Sequence, residues 1–252
     1  MKSLYSILTQ DTFIDCHANI IGDYAPSIQY PYGSILMIEN GLINSDTSFE
    51  KFYDKLEKYK NDYIISANGK NVDEILSIVN KGYNTIIGEI KTYKCYFDQQ
   101  DELNLYEDYS ISLDKTLADT LIPIMVHCDL SNMHGVKVLE EILKINTKRK
   151  VVLCHSGIND VKVDKNIIFN RAIEFQHKYN NLWLEISWKP CIDFFDDRKL
   201  SLIDTDRLLI GSDITIYDEN QKNEIYDSIK KLSRNINLKR NIENLINIHY
   251  AF

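Results

Sequence analysis

Five short runs of this 252-residue chain end in side chains that bind metal ions or move protons. They are Asp15-Cys16-His17-Ala18-Asn19, Gly88-Glu89-Ile90-Lys91, His127, His155 and Asp213. Imidazole nitrogen and carboxylate oxygen together suit a zinc- or manganese-type divalent ion. An ion with one open coordination place can activate water at neutral pH, so metal-assisted hydrolysis is the chemistry these residue types would support. One His or Asp alone is usually just a satisfied polar group. Five such sites at the ends of consecutive elements carry more weight, because inward side chains of neighbouring strands meet in one volume.

The elements that must position them are legible as a pattern. Apolar, β-rich runs lie near 12–17, 34–39, 62–67, 84–90, 122–128, 150–155, 182–187 and 207–213. Most are continuous rather than alternating, as expected of parallel strands covered on both faces. Between them are helical stretches. Phe49, Phe52, Tyr53, Leu56 and Tyr59 follow candidate caps Asp46 and Ser48; Val72, Leu76 and Val79 form a second face; Val138, Leu139, Ile142 and Leu143 form a third. Strand–helix alternation predicts a parallel sheet. Eight strands in a chain of this length predict an α/β fold of the (β/α)8 TIM-barrel type, a single domain over residues 1–252. The reactive residues then share the C-terminal rim, where barrel active sites sit. Two longer connections on that rim, near 20–33 and 92–113, are rich in tyrosine: Tyr24, Tyr30, Tyr32, Tyr93, Tyr96, Tyr106 and Tyr109. Tyr93 is a candidate substrate contact, and these rings would suit a sugar or aromatic substrate.

At this point the chain resembles the amidohydrolase superfamily. Phe13-Ile14-Asp15-Cys16-His17-Ala18-Asn19 is similar to the first-strand motif, Ile87-Gly88-Glu89-Ile90 to the fourth-strand Gly-Glu, and Leu121–His127 to the fifth strand. Val152-Leu153-Cys154-His155-Ser156-Gly157 resembles the sixth strand. Asp206-Arg207-Leu208-Leu209-Ile210-Gly211-Ser212-Asp213 resembles the eighth-strand run of the amidohydrolase-2 and TatD-like branches, and Asn241–Leu245 the closing helix. The departure is at Asn19, where the family carries the second histidine of a His-x-His pair; an amide oxygen is a poorer ligand for a borderline-soft ion than imidazole. The resemblance implies one divalent metal ion, zinc before manganese or iron, held by Glu89, His127 and His155, with His17 and Asn19 flanking it. If His17 ligates instead, Asp213 and His127 are its partners. Asp213 is implied as the general base. Lys91 rivals Glu89 as the fourth-strand ligand, or holds an anionic substrate group. The reaction implied is hydrolysis of an amide, ester, lactone or phosphoester bond in a small molecule. A decarboxylase of the amidohydrolase-2 type, a TatD-like nuclease and a degenerate barrel that only binds a ligand are the alternatives.

Cys16, Cys128 and Cys154 sit directly beside the three histidines. The period-two rule of a strand turns them away from the site and argues against thiolate ligation. Asp15 is expected one layer deeper than His17, bonded to a ligand or to backbone. Ser187 and Lys189, at the end of the seventh strand, are expected to face the mouth and touch substrate. His134, His177 and His249 read as structural or solvated.

Composition narrows the setting. The net charge of −8, with only Lys148-Arg149-Lys150 as a basic run, argues against a nucleic-acid partner. No apolar stretch approaches the roughly 18 residues of a membrane span. Met1-Lys2-Ser3-Leu4-Tyr5 lacks the apolar run of a signal peptide, and five cysteines at unpaired spacing suggest no disulfide framework, so a cytoplasmic location is expected. A homo-oligomer is allowed.

Overall fold

The computed structural model describes residues 14–20, 34–38, 53, 64–67, 72–80, 85–92, 120–159, 162–214 and 219–246. Its eight strands run β1 (Ala18–Ile20), β2 (Ile35–Ile38), β3 (Ile64–Ala67), β4 (Thr85–Lys91), β5 (Ile124–His127), β6 (Val151–Leu153), β7 (Leu182–Ile186) and β8 (Leu208–Ile210). They form one sheet in sequence order, and every neighbouring pair is parallel. The ring closes between the last strand and the first. Cys16 N–H donates to Ile210 O at 3.1 Å, Asn19 N–H to Ile214 O at 3.0 Å and Asp213 N–H to His17 O at 2.7 Å. This is a (β/α)8 barrel, as the strand–helix alternation predicts.

Strands β3, β6 and β7 are buried at every position, which explains why they read as continuous apolar runs. Helix α1 (Val72–Asn80) buries Ile75 and Ile78, with Leu76 and Val79 partly buried beside them, so the buried face is centred elsewhere than the Val72-Leu76-Val79 stripe suggests. Helix α2 (Met133–Ile145) starts at Asn132, whose side chain accepts from Gly135 N–H at 2.8 Å, and buries Val138, Leu139, Ile142 and Leu143 as its spacing predicts. Helix α3 (Lys165–Lys178) is capped by Asp164 and buries Ile168, Phe169 and Ala172. Two short helices, α4 (Lys189–Ile192) and α5 (Asp197–Leu200), precede β8; α6 (Glu219–Ser233) and α7 (Leu238–Ile246) follow it. Of the predicted helix after the second strand, Tyr53 is helical and buried, and its hydroxyl donates to Ser66 O at 2.5 Å; the rest lies outside the described residues. No helix among the described residues is long and apolar enough to cross a membrane.

Two strand boundaries differ from the expectation, and both matter for the site. Among the described residues the first strand begins at Ala18, so His17 stands just before it and Asn19 within it. The sixth strand stops at Leu153. Cys154–Gly157 then form a tight 3-10 turn in which His155 (φ 53°) and Ser156 (φ 51°) take left-handed backbone conformations. Such conformations are strained for residues with a Cβ and cluster at functional sites.

Two of the required glycines bear on how the site is assembled. Gly88 has φ +131°, and a Cβ there would lie 2.5 Å from Met125 O, where the β4–β5 register shifts between Ile87 and Ile90. A Cβ on Gly211 would lie 2.3 Å from His17 N, so glycine lets β8 approach the first strand closely enough to close the ring. Arg207, part of the run resembling a family motif, turns out to be a clasp: its guanidinium donates to Tyr179 O, Leu182 O and Gln176 O and pairs with Asp204. Asn241 ties α7 to the start of β8 through Thr205 O and Leu208 O, both at 2.7 Å.

Candidate metal centre

Glu89 rises from β4, His127 ends β5, and His155 comes from the turn after β6. Glu89 Oε1 lies 2.6 Å from His127 Nδ1 and 3.6 Å from His155 Nε2. The two imidazoles meet edge to face with centroids 4.7 Å apart. One donor atom from each of the three residues falls within 4.8 Å of the others. Asp213, in a left-handed conformation (φ 56°) just past β8, places Oδ2 4.0 Å from His155 Nε2 and Oδ1 3.5 Å from His17 Nε2. With its side chain 19% exposed, Asp213 is the most open of these groups, and so the one best placed to meet water or a ligand.

His17 stacks on His155, centroids 5.5 Å apart. Its Nδ1 lies 3.4 Å from Glu185 Oε1. Glu185 also accepts the His155 backbone N–H at 2.8 Å, holding the strained turn in place. Ser187 Oγ stands between the imidazoles, 2.8 Å from His155 Nδ1 and 3.4 Å from His17 Nδ1. Asn19 donates its amide to Asp213 Oδ1 at 2.5 Å. Asp15 accepts from Ser212 N–H at 2.8 Å, Ser212 Oγ at 2.6 Å and His17 N–H at 3.1 Å.

Burial of so many ionisable groups together shifts their titration. Burial opposes charge on Glu89, but the imidazoles of His127 and His155 more than offset it and hold the carboxyl well below its usual range. Burial likewise opposes charge on His17, yet the Glu185 carboxylate, then Asp213 and Glu89, push it up to about 10. His155 is raised against its burial by Glu89, Asp213 and Glu185. Glu185 is lowered against its burial by His17, His155 and Ser187. Asp15 is pushed up to about 6 by burial, which its Ser212 hydrogen bonds only partly counter.

The donor set fits a divalent cation. Glu185 Oε1 and His17 Nε2 are buried atoms without a hydrogen bond, the arrangement expected of ligand atoms rather than of a finished polar core. A bound ion would replace protons on His17 and His155 as the positive charge facing these acids.

The structure thus brings together Glu89, His127, His155, Asp213, His17, Asn19 and Ser187. It does not bring Lys189 into the group: its ammonium is 2.7 Å from Asp193 and 3.2 Å from Glu224. Lys91 continues β4 in register with His127, but its side chain lies outside the described residues, as does Tyr93. His134 and His177 are exposed, as expected; His249 lies outside the described residues.

Two residues depart from the sequence reading. Cys154 does not turn away: one donor atom each from His17, Cys154 and Glu185 falls within 4.8 Å of the others. The period-two rule fails because the strand has ended, and the left-handed turn carries both Cys154 and His155 inward. Glu185 is a site residue that the strand-end pattern does not single out. Its signal was available: a lone carboxylate inside the apolar run Leu182-Trp183-Leu184-Glu185-Ile186 is seldom buried without a partner.

No known family profile matches the chain, and no curated protein matches it in sequence. Solved structures do match in fold. A protein from Pseudomonas putida described as a 2-pyrone-4,6-dicarboxylic acid hydrolase is 12% identical, with a TM-score of 0.58 over 94% of this chain and 97% of its own. An amidohydrolase from Burkholderia multivorans with bound zinc is 10% identical, with a TM-score of 0.52 over 81% and 76%. Dihydroorotase from Campylobacter jejuni is 13% identical, with a TM-score of 0.53 over 95% and 84%. At these identities the likeness establishes architecture, and the chain has the barrel fold that these proteins share.

Proposed function

We propose that the chain is a metal-dependent hydrolase of the amidohydrolase superfamily, acting on a small molecule. The observation that carries this is the meeting of Glu89, His127 and His155, from three different strand ends, with Asp213 beside them. Glu89, His127 and His155 hold one divalent ion, with zinc favoured by the nitrogen and oxygen donors. When bound, such an ion polarises the oxygen of the scissile bond and brings the pKa of adjacent water from 15.7 to about 7. Asp213 accepts the proton from attacking water and returns it to the leaving group. Asn19 fixes the Asp213 carboxylate through its amide. Ser187 orients the imidazoles of His17 and His155, and Glu185 meets the His17 imidazole and holds the His155 backbone. The fold relatives that act on a pyrone dicarboxylate and on dihydroorotate make lactone and cyclic amide bonds the first to try. Lys91 and Tyr93 remain substrate contacts in this reading, Lys189 being held by Asp193 and Glu224, and a cytoplasmic protein, alone or as a homo-oligomer, fits it.

A ligand-binding barrel without turnover is the second reading, and one contact favours it. The Asn19 amide occupies Asp213 Oδ1, so that oxygen is engaged by the protein rather than open to a water. The decarboxylase and nuclease alternatives have no contact in their favour among the described residues.

The test is metal content and turnover on purified protein. At least one tightly held ion per chain, lost in His155→Ala, supports the metal assignment. Asp213→Asn should keep that ion and lower kcat roughly 10²–10⁴-fold on a panel of lactones, cyclic amides, esters and phosphodiesters. Metal without turnover across the panel would favour the binding barrel. No ion under any preparation would overturn the hydrolase reading and favour the binding barrel.

A further inference from the structure

The mouth holds more acid than one divalent ion balances. Asp15, Glu89, Glu185 and Asp213 stand around three imidazoles, and among the described residues no lysine or arginine pairs with any of the four. Cys154 joins this group instead of the helical layer. Cys128 and Cys191 donate their thiols to the carbonyls of Gly135 and His155, whereas Cys154 places its sulfur within 4.8 Å of a donor atom of His17 and of Glu185. His17 and Glu185 are fully buried, and Glu185 Oε1, which lacks a hydrogen bond, lies 3.4 Å from His17 Nδ1.

We infer that His17, Cys154 and Glu185 form a second cation position with a sulfur donor, beside the one assigned to Glu89, His127 and His155. The inference rests on reading this mouth as a metal centre, but it uses none of the three ligands assigned there. One donor atom from each of its residues lies within 4.8 Å of the others. Donors around a single tetrahedral ion at about 2.0–2.3 Å stand roughly 3.5 Å apart, so a small contraction completes the set. Glu185 approaches His17 at Nδ1, 3.4 Å away, whereas Asp213 Oδ1 lies at the opposite ring nitrogen, 3.5 Å from Nε2, and so belongs to the neighbouring position. Sulfur makes this position soft: it selects zinc-, cobalt- or cadmium-type ions over magnesium, calcium or manganese. Binding M²⁺ releases the thiol proton and any proton on His17 to solvent, with no change of oxidation state. The two positions would then differ in kind, one nitrogen–oxygen and partly open, the other sulfur-containing and sealed.

Cobalt reports on both. The full chain, stripped with chelator and kept under reductant, is titrated with Co²⁺ while bound ions are counted and thiolate-to-cobalt charge-transfer absorption is followed in the near ultraviolet. Two ions per chain and a charge-transfer band are expected. Cys154→Ser should abolish the band and leave one ion. Glu185→Gln should weaken the band's midpoint by 10-fold or more. His127→Ala should keep the band and lose the other ion. Because the band is read first in the unaltered chain, the test does not depend on any variant folding. One ion with no band overturns this inference and leaves the Glu89–His127–His155 site standing. A band that persists in Cys154→Ser also overturns it. A band with a single ion that survives in both His127→Ala and His155→Ala supports this position and overturns the first.

Discussion

His155 shows how one residue can serve both packing and chemistry. Its imidazole reaches Glu89, its Nδ1 meets Ser187, and its backbone N–H is held by Glu185. That last bond compensates the left-handed backbone that turns the ring inward. Ser187 is then a positioning residue that touches both imidazoles through one hydroxyl. Such partners of metal-binding imidazoles typically carry 10–100-fold in affinity. Ser187→Ala is therefore expected to weaken metal binding by about that factor while leaving the number of sites unchanged, as measured by competition with a chromophoric chelator. Unchanged affinity would show that Ser187 merely fills space. Asn19 is the residue whose role changed most between sequence and structure. As a missing histidine it looked like a lost ligand; in place it is a donor that holds Asp213.

At the scale of elements, the site is assembled from strand ends, so whatever fixes the strands fixes the chemistry. Gly211 is where β8 passes the first strand most closely. Gly211→Ala would drive a methyl group into His17 N and Cβ. A loss of about 3 kcal/mol or more is expected by urea unfolding, with metal affinity falling in parallel, because overpacking a rigid contact forces backbone to move. Stability within about 0.5 kcal/mol of the parent would mean the strands have slack there. Helices α2 and α3 are joined at the surface by Glu140, which accepts from Tyr179 Oη at 2.5 Å and Lys178 Nζ at 2.8 Å and pairs with Lys144. These contacts, led by Lys178, lower the Glu140 carboxyl to about 2. A depressed carboxyl stabilises above its unfolded value near 4.5, and that contribution is lost as pH falls towards 2. Glu140→Gln should thus reduce stability at neutral pH by less than about 1 kcal/mol, the group being close to solvent. The parent–variant difference should shrink between pH 4.5 and 2, as read from melting curves. The helices were legible from spacing, most clearly Val138, Leu139, Ile142 and Leu143 on α2. The strand ends were less so: an apolar run does not record where its hydrogen-bond ladder begins or stops, which is why the shifts at Ala18 and Leu153 were not anticipated.

At the scale of the whole molecule, a bound ion would act as a cross-link between strands distant in sequence, from β4 through to the turn after β6. It binds only the folded chain, so free metal at about 100 times Kd adds about 2.7 kcal/mol. For a domain of this size, that corresponds to a rise in Tm of roughly 5–10 °C. Chelator should reverse the shift, and His155→Ala should show none of it by differential scanning calorimetry. Equal melting temperatures with and without metal would mean that the donors do not act together. Barrel closure makes this coupling strong, since the ring from β1 to β8 has no free edge to yield.

The order of strands and helices, the parallel barrel they imply and the placement of His, Glu and Asp at strand ends were all written in the residue pattern. Hydrophobic periodicity is local, and a barrel repeats one local unit eight times. What the pattern left undecided depended on contacts between distant segments. Cys154 faces inward because a turn replaces the strand at that point. Glu185 becomes part of the centre because His17, 168 positions earlier, closes the ring against it. Asn19 becomes a donor because Asp213 arrives from the far end of the chain. Partners separated by that much sequence meet only when the barrel closes, and their chemistry is set there.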